Sequence, residues 1–460
     1  MTVERLSEAT LDRVDAVRVP SYARAAPPTI AHLGVGAFAR AHLAVYADDL
    51  LQAGHPALIR GVSLRNPGAE EQLAPQDGLF SVDEREPGRD HSLRVVGSLA
   101  SVGTGVDAAI EAIAAPTTAL ITLTVTEKGY ELDPRDLTEP DRPRSAPAVI
   151  ARGLGLRRGQ GPPPVIASLD NVMDNGVLLR QRVIDAAEQA DVGLARWIME
   201  HVRFPSSVVD RMVPATTPSD LDAVARRLGL RDEAAVVAEH HRSWFITEVD
   251  GLPPLADVGV RVVGDIVPYQ RRKLWLLNGP HSALAYGGLL AGCETIADAA
   301  AHPVVSSFVR RLVDDILEVA DRTPGVGPDA FAEESLRRFG NPELGHTCCQ
   351  VGADGSRKLA QRLLPGVAAR AFLDLPTDRF AVVVAVWLAA VTRLPLRGIV
   401  LPEVDDPDTA ALRAAAEDRD RRALSHAALG RLATGAFADE VAGTLEQLVR
   451  HGIDVLREEP

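Results

Sequence analysis

The chain has 460 residues, 46% of them hydrophobic, which suits two ordinary cores better than one. A formal net charge of −14 argues against nucleic acid as a partner. The first twenty residues are charged throughout, and no run of about 18 apolar residues occurs, so neither a secretory leader nor a membrane span is predicted.

Residues 30–33 read as a buried strand end. Gly34 and Gly36 follow, and then a helical pattern runs through Leu43, Tyr46, Leu50 and Leu51. Strand, glycine turn and helix together bind a dinucleotide pyrophosphate: the glycines admit the backbone, and the helix start offers free N–H groups. Ala39 stands where the third glycine of that fingerprint falls and still permits close helix packing. Taken alone, Gly-x-Gly describes a plain tight turn equally well. Residues 57–64 predict a second strand. A common NAD site places Asp or Glu at its end for the ribose hydroxyls. This chain has Arg65 there, with Glu70 and Glu71 further on. Arg65 suits either a solvated loop or a 2′-phosphate, so NADP stays open beside NAD.

A β segment is expected after Phe80, a helix over 106–114, and a β-branched buried strand over 118–126 that ends at Glu127. A carboxylate at a strand's carboxyl end is placed for a cofactor contact or a proton path, or is a plain loop glutamate. Residues 133–161, rich in Pro, Arg and Gly, read as surface loop around a short helix. Residues 165–171 form a further strand ending at Asn171, with a helix over 177–190. Asn171 is a neutral amide donor of the kind that holds a developing alkoxide, or a turn and cap residue. Asp210, beside Arg211, suits a substrate hydroxyl or a surface ion pair. Residues 243–248 and 260–263 read as strands. The alternation implies a doubly wound α/β sheet with β additions.

After Asp265 the chain is helix-like nearly throughout. The expected domains are 1–267, a Rossmann-like dinucleotide-binding domain, and 268–460, a mostly α-helical substrate domain, with the cleft between them as the natural site. Lys273, Asn278 and His281 stand at the start of the second. On a helix Asn278 and His281 share a face, and Lys273 lies about 80° round the axis from His281 at roughly 100° per residue. A lysine, an amide and an imidazole at one point suit proton abstraction beside an oxyanion, provided desolvation or nearby positive charge makes the lysine basic near neutral pH. An amphipathic helix with a snorkelling lysine and a hydrogen-bonded core histidine is the plainer account. Pro280 should kink or restart that helix. Further on, His346 and Gln350 precede Lys358 and Arg362, which suit either a substrate anion or an exposed i, i+4 arrangement. The three cysteines, Cys293, Cys348 and Cys349, lack both framework and zinc spacing, which suits a cytoplasmic protein with no metal site.

Six stretches in order carry a resemblance: His32-x-Gly34-x-Gly36-x-Phe38-x-Arg40-Ala41-His42; residues 76–81; Ser168-x-Asp170-Asn171-x3-Asn175-Gly176; residues 204–214; Lys273-x4-Asn278-Gly279-x-His281-Ser282; and Asp354-Gly355-Ser356-x-Lys358-Leu359-x-x-Arg362. Together they resemble the long-chain mannitol dehydrogenase family of polyol and hexuronate 2-ketose reductases. The resemblance implies a metal-free NAD enzyme. Gly34, Gly36, Phe38 and Arg40 would lie at the cofactor, Lys273 would be the base, Asn171 and Asn278 would hold the reacting oxygen, and His281 would orient the substrate. Asp210, His346, Gln350, Lys358 and Arg362 would bind the rest of the substrate. Two departures stand out. Gln270 replaces a glutamate common three residues before the lysine, which leaves Glu127 or water for proton exchange. Gln350 stands where the mannitol branch tends to carry arginine, which looks more like the fructuronate reductase branch. The expected reaction is mannitol/fructose interconversion, with mannonate/fructuronate as the alternative. A sugar-phosphate dehydrogenase would need a further basic cluster. A non-catalytic dinucleotide sensor could dispense with Lys273. The partner is a small polyol or hexuronate, and the chain is a monomer or a weak oligomer.

Overall fold

The computed structural model describes residues 4–15, 17–88, 91–323, 325–417, 420–430 and 434–457. The chain divides into two compact units, Met1–Val267 and Pro268–Pro460.

The first unit holds eleven strands among its described residues: β1 (Ile30–Leu33), β2 (Ile59–Ser63), β3 (Phe80–Arg85), β4 (Ser92–Val96), β5 (Leu99–Thr104), β6 (Leu120–Leu123), β7 (Val165–Ser168), β8 (Ser207–Asp210), β9 (Val236–Glu239), β10 (Ser243–Thr247) and β11 (Arg261–Val263). Five pair in parallel in the order β5-β2-β1-β6-β7. Alternate residues of these strands feed different cores. Ile30, Ile59 and Leu120 pack with Leu43, Tyr46 and Leu50 of the helix Leu43–Gln52. Ala31, Leu33, Val62, Ile121 and Leu123 pack with the helices Val106–Ala114, Ala146–Arg157 and Asn175–Ala190. Both faces are therefore buried, which is why β1 and β6 are mainly apolar, broken only by His32 and Thr122. The chain leaves β1 to one side for β2 and β5, and to the other for β6 and β7. The reversal puts a ligand crevice at the carboxyl ends of β1 and β6. Two three-stranded sheets, β11-β10-β8 and β4-β3-β9, complete the unit. Of these additions, β4, β8 and β9 carry no clear period-2 signal.

One expectation fails. The stretch 133–161 is not mainly surface loop, because it contains the 12-residue helix Ala146–Arg157, most of it buried. Its buried face carries Val149, Ile150 and Leu154 with small residues among them. A Cβ on Gly153 would sit 2.5 Å from Ile113 Cγ2, so glycine is what lets this helix lie against Val106–Ala114. The Arg157 guanidinium donates to the carbonyls of Ala115, Pro116 and Pro162, satisfying loop acceptors that would otherwise be buried without partners.

The second unit has helices and no strand among its described residues. Its axis is the helix Gly279–Ala291, buried along nearly its whole length. The helix Asp378–Thr392 is similarly enclosed. No helix among the described residues is long and apolar enough to cross a membrane.

Candidate functional site

In the first unit the carboxyl ends of β1, β2 and β6 open on a cavity of about 700 Å³. Gly34 forms its inner wall with φ +99°, and a Cβ there would fall 2.2 Å from the Thr124 carbonyl oxygen. That left-handed conformation and that approach both require glycine. Thr124 Oγ1 donates to the Gly34 carbonyl at 2.7 Å. His32 braces the same turn, with Nε2 3.0 Å from the Gly34 carbonyl and Nδ1 2.9 Å from Thr122 Oγ1. Burial pushes this histidine down to about 4, so it is neutral at pH 7. A carbonyl only accepts, so the proton sits on Nε2 and Nδ1 accepts from the threonine hydroxyl.

Gly36 is the N-cap of the helix Ala37–Ala41 in extended backbone, and a Cβ there would meet nothing within 4 Å. Its open side faces the cavity. Arg40 also lines the cavity. One of its terminal nitrogens donates to the Ala234 carbonyl, and its Nε is buried with no partner. Burial pushes it down to about 10, which leaves it a cation at neutral pH. Glycine turn, open helix start and a half-buried arginine with an unspent donor fit the phosphates of a dinucleotide. Arg65 lies exposed on the rim, just past β2. Phe38, expected at the cofactor, does not line the cavity: its ring stacks on His42 at 5.1 Å and packs on the core. The Glu127 side chain lies outside the described residues.

Two groups at this crevice, Lys128 and Arg144, had no sequence signal, and Asp170, known from the sequence only as a motif position, has a structural part. Lys128 and Arg144 both line the cavity. Asp170 accepts from the amides of Val125 (3.2 Å) and Thr126 (3.0 Å) and from the Tyr130 hydroxyl (3.0 Å), holding Thr126 at φ +64°. Asn171 follows Asp170 and is exposed. Asn175 is structural: buried, it donates to the Asp170 and Ser207 carbonyls and accepts from the Ser207 amide, tying β7 to β8. Asp210 is buried at the end of β8 with His241 Nε2 at 3.6 Å. Arg211 turns away from it to Glu84 (2.6 Å) and to the carbonyls of Ala41 and Glu239.

In the second unit Lys273, 7% exposed, ends the helix Val267–Lys273. A π-turn, Leu274–Asn278, follows, and the α-helix restarts at Gly279 with Pro280 in its first turn. Pro280 has no N–H to give, and the chain answers by widening the turn: the Gly279 amide bonds the Leu274 carbonyl five residues back. Residues five apart lie closer to one face in a π-turn than in an α-helix, so the turn brings Asn278 round toward Lys273. Gln270 is buried three residues before the lysine. Asn278 is buried too, its Nδ2 lacking a partner. His281 stacks on Phe339 (4.9 Å between ring centres), has His346 at 6.1 Å, and keeps a buried Nε2 without a partner. Burial first, then the neighbouring His346, Arg362, Lys358 and Arg338, holds His281 well below the usual imidazole range, so it is neutral.

Arg362 ends the helix Gly355–Arg362. Its Nη1 donates to Ser282 Oγ at 3.0 Å, and Ser282 donates in turn to the Asn278 carbonyl at 3.1 Å. Gly279 makes this approach possible, because a Cβ there would press within 3.1 Å of the Arg362 carbonyl. Lys358 reaches the Val351 carbonyl at 3.4 Å and Asp354 at 3.9 Å. The loop carrying His346 is pinned by the Ile296 amide on the His346 carbonyl (2.9 Å) and by a bridge between Thr295 and Thr347. Gln350 is not brought to this group. It is exposed, and its side chain accepts from the Thr347 amide at 3.2 Å, closing the start of the helix Cys348–Gly352. Arg338 and Phe339, which join the cluster from the helix Pro328–Phe339, had no local signal in the sequence. Among the described residues no group of three or more His, Cys, Asp or Glu is arranged to hold a metal ion. Burial raises Cys348 to about 12 and so makes it a poor nucleophile.

The mannitol dehydrogenase Rossmann domain model matches residues 28–255, and the mannitol dehydrogenase C-terminal domain model matches residues 265–449. The chain belongs to the mannitol dehydrogenase family. Within it, the chain is 36% identical over 402 residues to D-mannonate oxidoreductase of Escherichia coli (strain K12), covering 82% of each. It is 34% identical over 473 residues to mannitol 2-dehydrogenase of Cereibacter sphaeroides, covering 95% of this chain and 97% of the relative. The structure of Pseudomonas fluorescens mannitol 2-dehydrogenase in ternary complex with NAD and D-mannitol matches it with a TM-score of 0.90 at 28% identity, over 98% and 99% of the two chains. As a member of this family of oxidoreductases, the chain joins a Rossmann-like unit to a helical one.

Proposed function

We propose that the protein is an NAD-dependent oxidoreductase that interconverts a secondary alcohol and a 2-ketose on a linear polyhydroxy chain, and that its preferred substrate carries a carboxylate, as in the mannonate/fructuronate pair. The carrying observation is the set of cations around the neutral His281: Arg362 fixed on Ser282, with Lys358 and Arg338 close enough to bear on the same imidazole. A carboxylate asks for fixed positive charge, best supplied by a guanidinium fork. The relatives support both branches, since one is named for D-mannonate and others for mannitol.

The backbone at Gly34 and Gly36, with Arg40, would hold the cofactor's phosphates. Bound there, NAD supplies the hydride acceptor. Lys273 takes the hydroxyl proton as the alcohol is oxidised and returns it as the ketone is reduced. The unpartnered Nδ2 of Asn278 donates to the oxygen that gains charge, and we assign Asn171 a second amide role toward substrate. His281, neutral and with Nε2 unspent, exchanges a hydrogen bond with a substrate hydroxyl and fixes the orientation of the chain. We assign Asp210 and His346 to further hydroxyls. Gln270 cannot ionise, so the proton held by Lys273 leaves through water or Glu127. Steady-state reduction of fructuronate and fructose tests the reading. kcat/KM on fructuronate should exceed that on fructose by about 10² or more, the worth of one bidentate charge pair. A higher value on fructose would assign the mannitol branch, and failure on both would remove the substrate class.

A further inference from the structure

We infer that Asp232 is a positioning residue for the phosphate arginine: bonded by Gln76 and Ser81, it fixes the turn whose Ala234 carbonyl anchors Arg40 at the cavity. The inference rests on the dinucleotide reading of that cavity. Residues 76–81 form one of the six stretches of resemblance, yet none of them lines the cavity. Their work is done from behind it.

Gln76, Ser81 and Asp232 are all buried. Gln76 closes the short turn Ala74–Gln76, and Ser81 is the second residue of β3. Asp232 stands just before β9, which runs parallel to β3. Four donors converge on its two oxygens. Oδ1 accepts from Gln76 Nε2 at 2.8 Å and from the Ala234 amide at 2.9 Å. Oδ2 accepts from the Ser81 amide and the Ser81 hydroxyl, both at 2.6 Å. Gln76 Oε1 accepts from the Glu233 amide at 2.8 Å. The turn 232–234 is therefore bonded at every residue, and its Ala234 carbonyl receives a terminal nitrogen of Arg40. The carboxylate also bears on Arg40 through space. Burial pushes Arg40 down to about 10, and the charge on Asp232 acts against that fall. The four donors in turn work against the burial that pushes the Asp232 carboxyl up. Among the described residues no ion pair joins the two side chains. A direct fork would spend two of the five guanidinium donors on the protein. Set back behind the turn, the same charge favours the cation and leaves those donors for phosphate.

The test is titration with NADH of the full-length parent, Asp232→Asn, Arg40→Ala and the double variant, read by nucleotide fluorescence beside a thermal melt, with no substrate and no turnover. The two effects of Asp232 differ in sign. A buried negative charge repels the pyrophosphate, so losing the charge alone would tighten NADH. Losing the anchor weakens it, because the new amide turns a donor toward other donors and frees the turn. Asp232→Asn should raise the NADH Kd about tenfold or more, and Arg40→Ala by at least as much, each the loss of one charge-assisted contact. In the Arg40→Ala background, Asp232→Asn should add less than about twofold, since both act through one contact. Tighter or unchanged binding in Asp232→Asn overturns the inference, whatever the melt shows. So does an unchanged Kd in Arg40→Ala. An equal further loss in the double variant also overturns it, since Asp232 would then be a general support of the cavity. If Asp232→Asn does not fold, Ser81→Ala replaces it in the cycle, because the Ser81 amide, Gln76 and Ala234 still hold the carboxylate. The expected rise is then about threefold, the worth of one neutral hydrogen bond, and it should vanish without Arg40. An unchanged Kd in Ser81→Ala would likewise overturn the inference. If the parent binds no NADH, the dinucleotide reading itself has failed. If the parent binds and the cycle is additive, that reading stands and only the part given to Asp232 is lost.

Discussion

Gly36→Val separates nucleotide binding from folding more cleanly than any other single change. The backbone at Gly36 is extended, at φ −85° and ψ −179°, a conformation that valine accepts readily. The added side chain meets nothing within 4 Å of its Cβ, so no core contact is disturbed. Stability should move by less than about 1 kcal/mol. What the side chain enters is the cavity, where the pyrophosphate must come within hydrogen-bond reach of the backbone. Losing two charge-assisted N–H···O bonds costs about 3–6 kcal/mol at ~1.5–3 each. At about 1.4 kcal/mol per tenfold, the NADH Kd rises by roughly 10²–10⁴. The assay is fluorescence titration with NADH, run beside a thermal melt. A variant that melts like the parent and binds NADH with unchanged Kd would show that the phosphate turn lies elsewhere. Gly34→Ala is the contrasting control. Its φ of +99° and the Thr124 carbonyl 2.2 Å from the new Cβ make the damage structural.

Gly34→Ala should therefore lower Tm by roughly 5–10 °C, since positive-φ strain and a displaced backbone cost more than about 2 kcal/mol and a domain this size loses about 2–4 °C per kcal/mol; an unchanged melt would contradict the close approach. Arg362→Met should raise KM for fructuronate by about 10² while changing KM for any fructose activity by less than about threefold, because only the acid uses the guanidinium. Equal losses on both ketoses would make Arg362 structural, holding Ser282 and the helix Gly279–Ala291 rather than substrate.

Four strands of the parallel sheet, β1, β2, β6 and β7, were legible as short, mainly apolar and largely buried runs, whereas β5, partly exposed at the sheet edge, was not. The glycine turn after β1 was legible as well, and at Gly34 a φ of +99° against a carbonyl requires glycine. A short helix within 133–161 was expected, but the burial of the helix Ala146–Arg157 was not, because its close approach runs through Gly153 and its polar end is satisfied by Arg157, and both are tertiary facts. At the site, Lys273, Asn278 and His281 stood out as polar residues in an apolar run. The π-turn that sets their mutual angle did not, since it arises from the missing N–H of Pro280 and the amide of Gly279 reaching back five residues. A motif position does not say which way a ring turns, and the Phe38 ring turns onto His42. Gln350 went the same way: a glutamine three residues after a threonine is as well suited to a capping box as to a ligand, and the helix start claimed it. Arg338 and Phe339 come from a separate helix whose own pattern gives no reason to look there.

The central claim is that Lys273 is the proton-transferring group of a secondary-alcohol dehydrogenase. Lys273→Ala, purified alongside the parent, should be assayed for ketose reduction at saturating NADH and titrated with NADH separately. The account predicts kcat lower by about 10² or more with the NADH Kd within about twofold, since a general acid–base group contributes that much and the nucleotide is held by Gly34, Gly36 and Arg40. Turnover within a few-fold of the parent, with nucleotide binding intact, would contradict it.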